Sequence, residues 1–351
     1  NKIFKIGFDP TLFTKKTLTT FFKKTNCKFI PLNHNLIDNI WVRSNSNTND
    51  KFYVMPNYSV GLTCGQKTNR VVSEIAKNGA DIQFITASEN NAWLLNIRGK
   101  DSKYTPIPHS YILIDRKKNI NFFCDLNKIS TSFKKNFKLI KFIDIKLTGS
   151  FLSKLKNKKI IIDNNTCSIH FENIISKNNR ILDRQDFIYT LKSIKTKNEI
   201  QNIKKAHIYD GAALTKYLFW IKKNYIKKKV SEISAEKKLY FFRKKNKNFK
   251  FLSFPTISST GPNGAIIHYK ASPKSNRRLK KRDIYLVDSG GQYNFGTTDV
   301  TRTISLGNSN QRIRNIFTRV LKGHIAVSSY KLKKNTSGSN IDFVARKYLK
   351  Q

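Results

Sequence analysis

The chain has 351 residues, enough to bury more than one core, and its 67 Lys+Arg against 22 Asp+Glu give a formal net charge of +45. The lysines are spread through every segment, and the densest runs, KKNYIKKK from Lys222 and NRRLKKR from Asn276, fall at helix-end and loop positions, so solvated surface is favoured over a nucleic-acid or membrane partner. Cys27, Cys64, Cys124 and Cys167 form no CxxC pair and no CxxC/HxxxH spacing, which argues against a structural zinc and fits small buried hydrophobes in a reducing, cytoplasmic compartment. No apolar run approaches the roughly 20 residues of a membrane helix.

In chain order, the first 45 residues predict a strand at Ile3 to Phe8, a helix at Thr17 to Thr25, a short strand at Phe29 to Pro31 and the segment NLIDNIW from Asn35. The polar stretch from Ser44 reads as a linker. A helix follows at Gly65 to Asn78, then a buried strand at Asp81 to Thr86, and Ser88 is placed to cap a helix over Glu89 to Leu95. Strands at Tyr111 to Asp115, Asn121 to Cys124 and Lys159 to Asp163 complete an alternating α/β domain.

Thr196 and Glu199 form a capping box that opens a long helix, whose apolar stripe runs from Ile200 through Leu214 and Tyr217 to Ile221. A second helix is expected over Ser231 to Lys244, and strand-like segments span Phe249 to Tyr269. The apolar run Ile284 to Val287 and the β-branched run from Asp299 to Thr303 read as a hairpin joined by GGQYNFG. A third helix is expected over Gln311 to Tyr330. Asn1 opens directly into a strand pattern without a methionine and Gln351 stops inside a helical one, so both ends read as cut and the chain as a fragment.

The hairpin carries the chemistry. A turn centred between Tyr293 and Asn294 sets Asp288 opposite Asp299 on one face, with Cβ atoms about 4.5–5.5 Å apart. Two ionised carboxylates so placed repel each other, so either one keeps a proton or a cation lies between them. The competing account of the same spacing is a solvated turn. The run DSGG at Asp288 is shared with the nucleophile segment of chymotrypsin-like proteases, but that class needs a double barrel of strands, and the preceding chain is rich in helical pattern. No Lys-Ser/Thr follows Gly296, which argues against a phosphate loop.

The runs LSFPTISSTGPNGAIIHY from Leu252, IYLVDSGGQYNFGTTDVTRT from Ile284 and VLKGHIAVS from Val320 resemble aminopeptidase P, the Xaa-Pro aminopeptidase branch of the pita-bread metallopeptidases. NLIDNIW at Asn35, AWLLNIRG at Ala92 and KTKNEIQNIKKAHIYDGAAL at Lys195 extend the resemblance over nearly the whole chain. It implies an α/β fold: residues 1–45 as the remnant of a first creatinase-like domain, 46–186 as a second, and 187–351 as the first part of an α+β pita-bread catalytic domain. It implies release of an N-terminal residue that precedes proline, with hydroxide on a dinuclear metal centre as nucleophile. The implied cofactors are two divalent ions, typically Mn2+; the partners are peptides with proline second, and the intact protein is expected to be a homodimer.

Residue by residue, the resemblance makes Asp288 bidentate to one metal and Asp299 the bridge between both, with a histidine and two glutamates expected beyond Gln351. His268 matches the histidine that contacts substrate and stabilises the tetrahedral intermediate; the alternative is a strand-end histidine bonded to a backbone carbonyl. Thr301 and Arg302 are candidates to brace the ligands, with strand packing and a surface ion pair as alternatives, and the turn at Gly261 to Gly264 reads as structural. His324 is expected to be an ordinary helix histidine, and His34, His109, His170 and His207 gain no role. The fragment alone is expected to be inactive. The alternatives are a prolidase-type dipeptidase and a non-catalytic pita-bread module that binds peptides or histones; retention of two repelling aspartates speaks against the second.

Overall fold

The computed structural model describes residues 3–23, 25–41 and 50–350. The polar stretch expected to be a linker lies almost wholly outside them. The chain forms two compact units, Asn1–Ile208 with Gln292–Thr298, and Tyr209–Gly291 with Asp299–Gln351.

The first unit is built on a six-stranded mixed sheet, in the order Arg180–Asp183, Lys159–Ile162, Ile82–Ile85, Ser110–Asp115, Ile120–Cys124 and Ile140–Asp144. Alternation along the strands divides the apolar residues between its two faces. Ile85, Ile112, Phe122 and Ile161 join one core with Val71 and Ile75 of the helix Cys64–Lys77. Phe84, Leu113, Phe123 and Ile160 join the other with Ile175 of the helix Ile169–Ser176. Both faces are covered, so the strand Ile82–Ile85 is buried at every position. At the N-terminus, strands Phe4–Phe8 and Cys27–Pro31 pair in parallel.

Three local expectations change. Ser88 is inside its helix, not before it: Ala87 is the cap residue, and the Ser88 hydroxyl instead exchanges bonds with Ser110, donating to its carbonyl at 3.2 Å and accepting from its N–H at 3.2 Å. Tertiary bonding to the neighbouring strand has displaced the local cap. The helix expected over Thr17 to Thr25 is Lys15–Phe21, because Thr14 supplies a capping box with Thr17. The strands Ile140–Asp144 and Arg180–Asp183 were not signalled, since each is short and mixes its apolar residues with charged ones, Lys141 in the first and Arg180 and Asp183 in the second.

In the second unit, the later part of the helix Lys197–Asn224 and the helix Glu232–Lys244 pack on one face of a three-stranded antiparallel sheet, Ile257–Thr260, Ile284–Ser289 and Val300–Ser305. Tyr285 and Val287 point into this core with Leu214, Tyr217, Ile221 and Leu239, each such side chain contributing roughly 1.5–3 kcal/mol by burial. The Tyr285 hydroxyl lies 2.5 Å from that of Tyr217 and 2.7 Å from Ser258 Oγ, which satisfies the polar end of a fully buried ring. Burial pushes the Tyr285 phenol up to about 12.

Candidate metal centre and the loop beside it

The centre strand of this sheet alternates strictly. Tyr285, Val287 and Ser289 are buried against the helices, so Leu286 and Asp288 point to the other face. On the edge strand, Thr301, Arg302 and Thr303 are exposed.

The hairpin register differs from the expected one. Asp288 pairs with Thr301, not Asp299, and Ser289 pairs with Val300. The reason lies at the tip, where Tyr293 pairs with Gly296 and the two-residue loop is Asn294-Phe295, so the turn centres one residue later than the sequence suggested. Gly296 is suited to this place because a Cβ there would come within 2.8 Å of the Ala206 Cβ. Asp299 falls just outside the strand, two residues before Thr301. Continued alternation puts it on the same side as Asp288, as a diagonal neighbour about 7–8 Å away. That spacing leaves room for a pair of ions, about 3.5–4 Å apart in two-metal sites, between the carboxylates.

Asp288 carries the sign of an unfilled role. Its Oδ1 is buried and has no hydrogen-bond partner, an arrangement that costs about 1–3 kcal/mol unless something outside the chain satisfies the oxygen. A hard divalent cation is such a partner, and carboxylate oxygens are its preferred ligands. The donors therefore fit a metal in kind. They fall short in number, for among the described residues no group of three or more His, Cys, Asp and Glu could hold an ion.

The residue after Asp288 is fixed from beneath. Arg243, fully buried, donates through Nε to Asp210 Oδ1 at 2.7 Å, and through Nη2 to Asp210 Oδ2 at 2.9 Å and Ser289 Oγ at 3.0 Å. Sequence reasoning passed over this pair, although a signal existed. Asp210 sits on the same helical face as Ala206, Ala213, Leu214 and Tyr217, and Arg243 follows Ala235 and Leu239 at helical spacing, so charges of opposite sign stand on two apolar stripes.

His268 is not at a strand end. The strand Ile257–Thr260 stops before it, Gly261–Ala265 forms a 3-10 turn, and His268 follows in an exposed turn with φ 55°. Histidine is among the residues that tolerate this left-handed region. Gly261, with φ 57°, makes the reversal that ends the strand. Thr301 stands opposite Asp288, and Arg302 Nη1 donates to the Thr301 carbonyl at 2.8 Å. His324 is an exposed helix residue, and His207 Nδ1 lies 2.9 Å from the Ile203 carbonyl of its own helix.

Comparison with known proteins decides the family. The model of metallopeptidase family M24 matches residues 201–351, and that of the creatinase/prolidase N-terminal domain matches residues 43–199. Residues 201–351 belong to metallopeptidase family M24. The chain is 34% identical to Xaa-Pro aminopeptidase ApepP of Drosophila melanogaster over 98% of this chain and 58% of that protein. It is 35% identical to Xaa-Pro aminopeptidase 1 of Dictyostelium discoideum, over 99% of this chain and 58% of that protein. The crystal structure of X-prolyl aminopeptidase from Caenorhabditis elegans, described as a cytosolic enzyme with a di-nuclear active site, superposes with a TM-score of 0.88 at 28% identity. It is covered over 58% of its length, and this chain over 98%. The chain thus spans less than two thirds of the relatives it matches. The prolidase from Pyrococcus horikoshii, with a TM-score of 0.60 at 22% identity, shares the fold.

Proposed function

We propose that the intact protein is an Xaa-Pro aminopeptidase, releasing an N-terminal residue that precedes proline, and that this chain supplies Asp288, Asp299 and His268 to its active site. The observation that carries it is the buried, unpartnered Asp288 Oδ1, two strand positions from Asp299 in the hairpin register, within a chain about one third identical to named Xaa-Pro aminopeptidases. The three remaining ligands, a histidine and two glutamates, are assigned to residues outside these 351. When bound, two divalent ions, proposed to be Mn2+, supply Lewis-acid activation of the carbonyl and of water.

The chain's own residues divide the work. Asp288, whose direction the strand fixes, would hold one of the ions. Asp299, exposed just outside the strand, would be the ligand common to the pair. His268 donates a hydrogen bond to the oxygen of the carbonyl before proline as negative charge develops there, a contribution worth about 10²–10³ in rate for donors of this kind. We further assign residues 1–45, 46–186 and 187–351 to the remnant first domain, the second creatinase-like domain and the first part of the catalytic domain. A cytoplasmic homodimer is the proposed working form, with peptides as its partners.

The test is substrate choice by the intact protein supplied with manganese. A tripeptide of the form Xaa-Pro-Xaa should lose its first residue, while the dipeptide Xaa-Pro should be a poor substrate. Preference for the dipeptide would make it a prolidase, and absence of hydrolysis with both would favour the binding-module alternative.

A further inference from the structure

The loop that carries His268 closes on one buried carboxylate. Glu232, the first residue of its helix, is fully buried. Its Oε1 accepts from the Thr260 backbone N–H at 2.8 Å and from Asn263 Nδ2 at 3.1 Å. Its Oε2 accepts from the Tyr269 hydroxyl at 2.9 Å, from the Arg277 backbone N–H at 2.9 Å and from Asn263 Nδ2 at 3.1 Å. The Glu232 N–H itself donates to the Arg277 carbonyl at 3.0 Å.

These partners are spread along the loop. Thr260 is the last residue of the strand, Asn263 lies in the 3-10 turn, Tyr269 directly follows His268, and Arg277 is where the segment returns. A surface excursion of this length ordinarily keeps considerable conformational freedom. Here both ends and the middle converge on two oxygens, and charge-assisted bonds to a carboxylate are about twice as strong as neutral ones. Tyr269 is buried while His268 and Ile267 beside it are exposed, so the clamp grips one residue and presents its neighbour. His268 meanwhile holds a left-handed φ of 55°, uncommon outside glycine, and the backbone anchored on both sides of it keeps it there.

We propose that Glu232 is a positioning residue: by binding Thr260, Asn263, Tyr269 and Arg277 at once it fixes the loop that presents His268 to substrate. This role rests on the function assigned to His268 above, and the two can be separated. Glu232 touches neither substrate nor metal ligands; it acts through the backbone on both sides of the histidine.

The decisive variants in the full-length enzyme are Glu232→Gln and His268→Asn. Glutamine keeps the shape but turns one acceptor oxygen into a donor facing N–H or O–H donors. Asparagine tolerates the left-handed backbone but lacks the imidazole. Each should lower kcat by about 10²-fold, as displacement of a catalytic group by about 1 Å does, with two metals per chain retained on elemental analysis. The double variant should be no worse than His268→Asn alone, because a displaced loop has nothing left to lose once the imidazole is gone. Multiplying losses, or an unimpaired Glu232→Gln beside an impaired His268→Asn, would overturn the positioning role and leave His268 its function. An unimpaired His268→Asn would instead overturn the function assigned to His268, and the positioning role with it.

Should Glu232→Gln fail to fold, Tyr269→Phe removes one hydroxyl from the clamp and should give a smaller loss, again not multiplied by His268→Asn. A readout free of turnover is amide exchange in the 351-residue chain, where Tyr269→Phe should speed exchange at the Thr260 and Arg277 N–H groups. Unchanged exchange there would show that the four contacts to Glu232 do not act as one clamp, and would overturn the positioning role.

Discussion

At the scale of single residues, the two aspartates differ in a way that their shared motif hides. Asp288 is held in a central strand with one buried, unpartnered oxygen, whereas Asp299 is exposed just beyond the strand. In the intact protein Asp288→Asn should therefore deplete one ion and leave the other measurable by elemental analysis. Asp299→Asn should weaken both sites, since a neutral amide cannot share two oxygens between two cations as a carboxylate does. Equal and undiminished metal content in the two variants would falsify the assignment of both as ligands. The Arg243–Asp210 pair gives a second prediction, this one about stability. Its side chains are 0% and 0% exposed, so Arg243→Met leaves a carboxylate buried without its cation and should cost about 3–5 kcal/mol by urea unfolding. Replacing Asp210 by Leu as well should recover part of that loss. A single-variant cost below about 1 kcal/mol would mean that water reaches Asp210.

At the scale of elements, the hairpin shows which signals the sequence holds and which it lacks. Both strands were legible from Ile284 to Val287 and from Asp299 to Thr303, because β-branched and apolar runs bounded by glycine have few other uses. The register was not, since a loop holding Gly290, Gly291 and Gly296 admits several turns of nearly equal local cost. The choice is made where Gly296 meets the helix residue Ala206. Gly296→Ala should accordingly destabilise the chain by about 1–3 kcal/mol through overpacking, read as a lower denaturant midpoint; an unchanged midpoint would show that the helix gives way freely. The segment after Thr260 failed as a strand for a related reason. Its apolar residues Ile266 and Ile267 suggest one, but Glu232 takes the Thr260 and Arg277 N–H groups and bends the chain around itself.

At the scale of the whole molecule, two outcomes are expected of the 351-residue chain. With two carboxylates and, among the described residues, no cluster of three ligand-type groups, it should neither retain a stoichiometric metal pair after desalting nor cleave an Xaa-Pro peptide. Manganese-dependent turnover by the purified chain would contradict this. Its alkaline stability should also reflect the Tyr217–Tyr285 core. The Tyr285 phenol has a folded pKa raised from 10.0 to about 12, so the folded state keeps a proton that the unfolded state releases. Stability is therefore fully present below pH 10 and falls as pH rises toward about 12, which urea midpoints taken across that window should show, with the slope reduced in Tyr285→Phe. The sequence by itself determined the mixed α/β class and the family, and it named Asp288, Asp299 and His268 as candidates, because periodicity, caps and contiguous motifs are local properties. Only the tertiary structure decided the register that makes the aspartates diagonal rather than opposed, the removal of Ser88 from its cap, and the convergence of a distant loop on Glu232. Each of these is a contest between a local preference and a partner remote in sequence, and it is settled by packing and by the cost of leaving a buried polar group unsatisfied.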